Sequence, residues 1–232
     1  MYWNGRRIPH GPYHGLAYDL IRRQIHTGSL MPNEQLPAER KLAESLGISR
    51  ATLRDALKRL EQEGYVVSVR GAKGGNFIAN DEQLNQIGRT FLLAQPDQTW
   101  RSLEYLGAIL QAAGILACDR RTPTDMQTMR EAVTLVSNAT TTGDVRKGQC
   151  DFMTTICKAS LNSFFVDAAE VAMDGLFSPN PSSNPEKRAE TLNTVLSAII
   201  DAETHKIGGA IEGLLDELAD GLLKEMMAAA ID

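Results

Sequence analysis

Apolar residues in the first third of the chain recur at helical spacing, break, recur again, and then give way to a strand pattern. Leu16, Ile21 and Ile25 mark a first amphipathic helix that closes at Thr27-Gly28, where glycine suits a C-terminal cap. After the loop SLMPNEQLP, Leu42, Ala43 and Leu46 mark a second helix. Pro37 suits its first position, where a missing N–H costs nothing. Gly47 allows a sharp turn, and Ser49 follows as the N-cap of a third helix. That helix carries Leu53, Ala56, Leu57 and Leu60 on one stripe and Arg50, Arg54 and Lys58 on another. Beyond Gly64, Tyr65 to Val69 is β-branched and aromatic, which predicts a strand. Arg70 to Gly75 holds glycines and two cations and predicts a hairpin tip, with Asn76 to Ala79 returning as the second strand.

A helix with one apolar and one cationic stripe, presented by a short turn beside a basic hairpin, is the outline of a winged helix-turn-helix. Arginines near the helix start can reach guanine edges in the major groove or clamp phosphates. Glycines in the wing tip let backbone approach DNA, and Arg70 or Lys73 can enter a minor groove. The plainer alternatives are a helical hairpin with a solvated basic edge and an ordinary flexible turn.

After Asn80 the strand pattern disappears. Helices are expected over 81–94, 99–121, 122 to about 143, 144–159 and 162–177. Past the breaker-rich SPNPSSNP loop, expected to be mobile, two more run over 186–205 and, beyond Gly208-Gly209, to near Ala230. Each has one apolar face, so they should pack as an antiparallel bundle. The expected fold is mostly α. A winged helix-turn-helix, three helices plus a β-hairpin wing, covers 10–79. A linker and connecting helix cover 80–98, and an all-α bundle for effector binding and dimerisation covers 99–230.

Charge sharpens this division. The net −5 of the 232 residues hides a first segment, residues 1–80, with 12 Lys or Arg against 7 Asp or Glu, and a remainder with 12 against 22. A basic head on an acidic body suits a DNA-binding unit joined to one that does not bind DNA. No apolar run is long enough to span a bilayer, so no membrane partner is expected. The first residues carry Arg6 and Arg7 but no apolar core behind them, which reads as a loose arm and not a secretory signal. Cys118, Cys150 and Cys157 lack metal-site or redox-motif spacing and suit buried thiols in a reducing, cytoplasmic setting.

The stretch LPAERKLAESLGISRATLRDALKRLEQEGYV, followed by RGAKGGNFI, resembles the winged-helix domain of GntR-type bacterial transcription regulators. The resemblance runs from about His10 to Ile78 and rests on P-A-E-R, S-R-A-T-L-R and L-E-Q-E-G-Y in combination. It implies operator contacts by Arg40, Arg50 and Arg54, phosphate contacts by Ser49 and Thr52, and a minor-groove approach by Gly71. The helical remainder resembles, more weakly, the FCD-type ligand domain of the subclass related to the fatty-acid-responsive repressor. That domain binds a small organic acid, often through a metal held by one aspartate and three histidines. Here Asp151 takes the aspartate's place, but Thr155, Leu192 and Leu214 stand where the histidines would be. Of the four histidines, His10, His14 and His26 lie in the head and only His205 in the body, so no metal or other cofactor is expected. His205, near a helix end, is read as a favourable charge for the helix dipole.

These readings predict a homodimeric transcription regulator, a repressor, that binds a short palindromic operator and responds to a small organic acid or more apolar effector. Arg101, Asp151, Thr155 and Asn193 are the candidate effector contacts. No nucleophile elbow, P-loop or dinucleotide fingerprint occurs in the body, so no enzyme is expected. The rival reading is an effector-independent or architectural DNA-binding protein whose bundle serves dimerisation or protein partners.

Overall fold

The computed structural model describes residues 15–71, 74–177 and 184–229. Ten helices and one two-stranded sheet are formed by these described residues. The chain divides into two compact units, one ending at Ile87 and the other beginning at Gly88.

In the first unit, α1 (Leu16–His26), α2 (Glu39–Leu46) and α3 (Arg50–Gln62) bury Ile21, Ile25, Leu42, Leu46, Leu53 and Leu60 completely. These are the residues of the apolar stripes, and they make α1 and α2 pack on α3. β1 (Val66–Val69) pairs antiparallel with β2 (Gly75–Ile78), in register from Val66↔Ile78 to Val69↔Gly75. Only Val66 and Ile78, at the base, are buried, so the hairpin projects as a wing. Tyr65 falls outside β1 because its N–H is spent on Leu60 O at 2.8 Å, closing α3.

Pro37 is not the first residue of α2. The Leu36 N–H donates to Asn76 O at 2.8 Å and Gln35 bridges to Phe77. The chain therefore stays extended along β2 through Ala38, and the helix starts at Glu39. This tether ties the entry of α2 to the wing.

α4 (Asp81–Ala94) runs across the division, and α5 (Pro96–Arg120), α6 (Pro123–Ser137), α7 (Thr142–Ala159), α8 (Ser163–Asp174), α9 (Pro185–Ile200) and α10 (Thr204–Ala229) form a helical bundle. Its core includes Leu106, Leu110, Phe152, Ile156, Leu192, Ile199, Ile211 and Leu214, all fully buried. α5 begins at Pro96, not Thr99, with the proline at the first position that tolerates it. α6 ends at Ser137, earlier than expected, because Thr141 and Asp144 form a reciprocal capping box that starts α7 at Thr142. Most of the SPNPSSNP loop, 178–183, lies outside the described residues.

The largest departure concerns the last two helices. The break falls at Asp201–Glu203 and not at Gly208-Gly209, which lie inside α10. Ala202 adopts φ 55°, and Ala202 N and Glu203 N donate to Ile199 O and Ala198 O, closing α9. Buried Ile207, Ile211 and Leu214 hold α10 helical across its glycines, against a propensity cost of about 1 kcal/mol for each. His205 consequently sits in the first turn of α10, exposed, where a positive charge opposes the helix dipole.

α7 lies close against α6 at Gly148. A Cβ there would stand 2.6 Å from Val136 Cγ2 and 2.8 Å from the backbone oxygen of Ala132. Gly148→Ala should therefore destabilise the bundle by about 1–3 kcal/mol despite alanine's better helix propensity. Gly213→Ala, exposed on α10 with nothing within 4 Å of its Cβ position, should stabilise by up to about 1 kcal/mol. Thermal melts of the two variants should move in opposite directions; a Gly148→Ala melt at or above the parent's would show that α6 and α7 part without cost.

Candidate nucleic-acid interface

Ser49 caps α3, its side chain accepting from Thr52 N at 3.0 Å, with the two hydroxyl oxygens 2.9 Å apart. This satisfies an orphan N–H and fixes the start of α3 just after Gly47, which closes α2 at φ 70°. Arg50 and Arg54 then emerge one turn apart on the exposed side, opposite Leu53, Leu57 and Leu60. Arg40, in the first turn of α2, is exposed as well. Among the described residues neither Arg40 nor Arg50 forms a salt bridge, whereas the Arg54 Nε donates to Glu39 Oε2 at 2.8 Å. Glu39's hydrogen bond and charge together hold the Arg54 proton still more firmly than usual.

Arg70 is exposed at the end of β1, and Gly71 follows at φ 116°, a conformation that side chains disfavour, with open space around it. Gly74 N donates to Gly71 O at 2.9 Å across the tip. Lys73 lies outside the described residues. Between the wing and α2 runs a groove of about 480 Å³ lined by Gln35 to Glu39 and Gly74 to Asn76. Ser49, Arg50, Thr52 and Arg54 thus lie in the first turns of α3, Arg40 follows the Glu39 that Arg54 meets at the start of α2, and Arg70 and Gly71 are carried separately on the wing.

The far end of α3 is held as firmly as its start. The Tyr18 hydroxyl donates to Glu63, and the Arg59 guanidinium lies 3.9 Å above the Tyr18 ring while its Nε donates to Glu63 Oε1 at 3.0 Å. Burial, reinforced by the Glu63 carboxylate, pushes the Tyr18 hydroxyl up to about 12. Buried His26 pairs through Nε2 with the Tyr65 hydroxyl at 2.9 Å, tying α1 to the residue that closes α3. α3 is therefore fixed at its start by the Ser49 cap and at its far end by Tyr18, Glu63 and Tyr65.

The expected effector residues are not brought together. Arg101 and Asn193 are exposed. Asp151 is half-buried and ion-paired with Lys147 on its own helix at 2.7 Å. Thr155 is buried, but its hydroxyl donates to Asp151 O at 2.7 Å. A polar interior is formed instead by residues that carried no signal in the sequence. Arg188 of α9, fully buried, donates to Glu217 Oε1 of α10 at 3.0 Å and to Gln149 of α7. Burial lowers the Arg188 pKa and Glu217 opposes that. Arg146, also buried, places its guanidinium 4.8 Å from the Phe177 ring centroid. No three His, Cys, Asp or Glu side chains cluster as metal ligands among the described residues. Burial pushes the Cys150 and Cys157 thiols up to about 12, far from reactive thiolate. No helix among the described residues is long and apolar enough to cross a membrane.

Comparison with known proteins agrees with this geometry. A family model described as bacterial regulatory proteins, gntR family, matches residues 15–74, which holds α1 to α3 and the wing up to its tip. Over 219 residues the chain is 31% identical to a protein of Escherichia coli (strain K12) that carries the name of L-lactate dehydrogenase operon regulatory protein, covering 90% of this chain and 80% of that one. It is 46% identical over 52 residues to the fatty acid metabolism regulator protein of Pasteurella multocida (strain Pm70), covering 22% of each. Among solved structures, E. coli McbR/YncC shares the fold with a TM-score of 0.54 at 17% identity, over 94% of this chain and 100% of that one.

Proposed function

The chain belongs to the GntR family of bacterial regulatory proteins, DNA-binding transcription regulators, and on that premise we propose that it is a homodimeric repressor binding a short palindromic operator. Arg50 and Arg54 read bases in the major groove, and Arg40, Ser49 and Thr52 hold phosphate or add readout. Arg70, Gly71 and Lys73 bring the wing to the minor groove. The observation that carries this reading is the pair of exposed arginines one turn apart at the capped start of α3. Exposed apolar side chains on the adjacent helices α5 (Tyr105, Ile115) and α8 (Phe164, Val171) support dimerisation through the second unit. Two heads then require two half-sites about one helical turn apart, or a multiple of it.

A small effector in the bundle shifts the heads only by its difference in affinity between two states. The relative named for an L-lactate dehydrogenase operon makes small carboxylic acids the first class to screen. Asp151 and Thr155 on α7 remain the candidate contacts within reach of the core, and Arg101 and Asn193 would require a ligand at the bundle surface. Leu192 and Leu214, both fully buried, put apolar side chains where the resemblance gives two of the metal-binding histidines. The internal pairing of Arg188 with Glu217 and Gln149 favours a second reading, in which the bundle serves dimerisation and takes no effector.

The test is selection of duplexes from a random library with the full chain, followed by fluorescence anisotropy at fixed salt. The selected duplex should be palindromic, take two chains, and bind at least about 10³-fold tighter than a shuffled duplex. Release by a carboxylic acid, unchanged by chelator, would support the effector reading; no release by any acid or apolar metabolite would favour the second. Equal affinity for selected and shuffled duplexes would sink the operator reading itself.

A further inference from the structure

We propose that Glu39 is a specificity-determining positioning residue: from the first turn of α2 it holds Arg54 of α3 by Nε, so that the outer guanidinium edge is presented to a base and is withheld from stray phosphates. This rests on the reading of Arg54 as a base contact.

The geometry is specific. Arg54 Nε to Glu39 Oε2 is 2.8 Å, and this is the hydrogen bond Arg54 makes among the described residues. The Arg54 side chain is still 70% exposed. A guanidinium held at Nε keeps both terminal nitrogens for bidentate donation, the form in which arginine reads guanine O6 and N7. An unheld arginine has many rotamers to lose on ordering and engages any phosphate within reach.

The charge argument points the same way. An exposed ion pair contributes little to folding. A carboxylate beside the DNA-facing arginines also repels the backbone of every duplex, whatever its sequence. Its net effect on non-specific affinity is unfavourable, which favours discrimination between duplexes. Arg40 and Arg50 form no ion pair among the described residues, so neither guanidinium is oriented in advance in this way. Of the three arginines Arg40, Arg50 and Arg54, it is Arg54 whose orientation is set before DNA arrives. Glu39 lies in P-A-E-R and Arg54 in S-R-A-T-L-R, on different helices, so the pairing between them shows only in the fold.

Glu39 also sits where an acid favours the dipole of α2, which is the merely structural explanation of its presence. That explanation predicts a slightly lower melting temperature on substitution and no change in discrimination.

The test uses the full chain, a duplex selected by the wild-type protein from a random library, and a shuffled duplex of the same composition. Anisotropy titrations over a range of salt are made for wild type, Glu39→Gln, Glu39→Ala, Arg54→Ala and Glu39→Ala/Arg54→Ala. Glu39→Ala should bind the shuffled duplex more tightly, with a log–log salt slope steeper by about 0.9 per subunit. Its preference for the selected duplex should fall about tenfold or more, with Glu39→Gln between it and wild type. In the Arg54→Ala background, removal of Glu39 should leave the preference within about twofold, since the two residues act as one. If Arg54→Ala collapses the preference while Glu39→Ala keeps it within about twofold of wild type, the positioning role is overturned. If Arg54→Ala itself preserves the preference, the base-contact reading of Arg54 fails, visibly by a different result, and this inference falls with it.

Discussion

Arg50→Ala/Arg54→Ala is expected to abolish specific DNA binding while leaving the fold intact. Each bidentate arginine–guanine contact contributes about 1–3 kcal/mol of discrimination. Two arginines in each of two half-sites then amount to roughly 4–12 kcal/mol, comparable with the whole gap of about 4–10 kcal/mol between specific and non-specific binding. Both side chains are exposed, and the Arg54–Glu39 pair is a surface ion pair that contributes little to stability. The melting temperature should therefore stay close to wild type while the anisotropy preference for a selected duplex disappears. Arg40→Ala should behave differently if it clamps phosphate, weakening both duplexes and reducing the salt slope by about 1. A double variant that still prefers the selected duplex would move base readout elsewhere, and the wing would be the first place to look.

That experiment concerns the part of the molecule that local chemistry writes most directly. Ser49, the apolar stripe of α3 and the glycine turn before it all act within one or two helical turns, and the structure has each where spacing predicts it. The ladder from Val66↔Ile78 to Val69↔Gly75 is likewise local, with a turn-rich tip between two short strands. Departures begin where distant residues decide. Pro37 loses its helical place because Asn76 and Phe77, on the wing, pair with the stretch before it. Gly208 and Gly209 look like a stop signal, but the apolar residues around them are buried on neighbouring helices, and Ala202 supplies the left-handed cap instead. Glycine propensity is weak beside a buried isoleucine face. The same limit governs the sites. Arg50 and Arg54 share one face of α3 and Arg54 meets Glu39, the neighbour of Arg40, whereas Arg101, Asp151, Thr155 and Asn193 are spread over three helices. Arg146, Gln149, Arg188 and Glu217 read as ordinary surface residues until the bundle encloses them, and a helix's polar members do not announce which neighbour will cover them.

Glu217→Ala is expected to destabilise the bundle by about 3–5 kcal/mol, because it removes the carboxylate paired with a fully buried guanidinium. Arg188 would keep its bond to Gln149, but an amide oxygen does not replace a carboxylate for a cation inside a protein. At about 2–4 °C per kcal/mol for a unit of this size, the melting temperature should fall by roughly 6–20 °C. The pair itself is not an efficient source of stability. Glu217 Oε2 is buried without a hydrogen-bond partner, so part of the desolvation cost of that carboxylate is uncompensated. Arg188→Met/Glu217→Leu, which replaces both partners with apolar groups of similar length, should therefore melt close to wild type or above it. The two variants together separate the worth of the pair from the cost of breaking it. If Glu217→Ala melts within about 2 °C of wild type, the bundle has relaxed enough to admit water to Arg188, and the enclosure of this cluster is not rigid. If the single variant collapses and the apolar double variant does not, folding alone does not explain three polar side chains drawn from α7, α9 and α10 to one buried point. Whether the double variant still releases DNA with the acids that release wild type then decides whether the cluster belongs to the response or only to the scaffold.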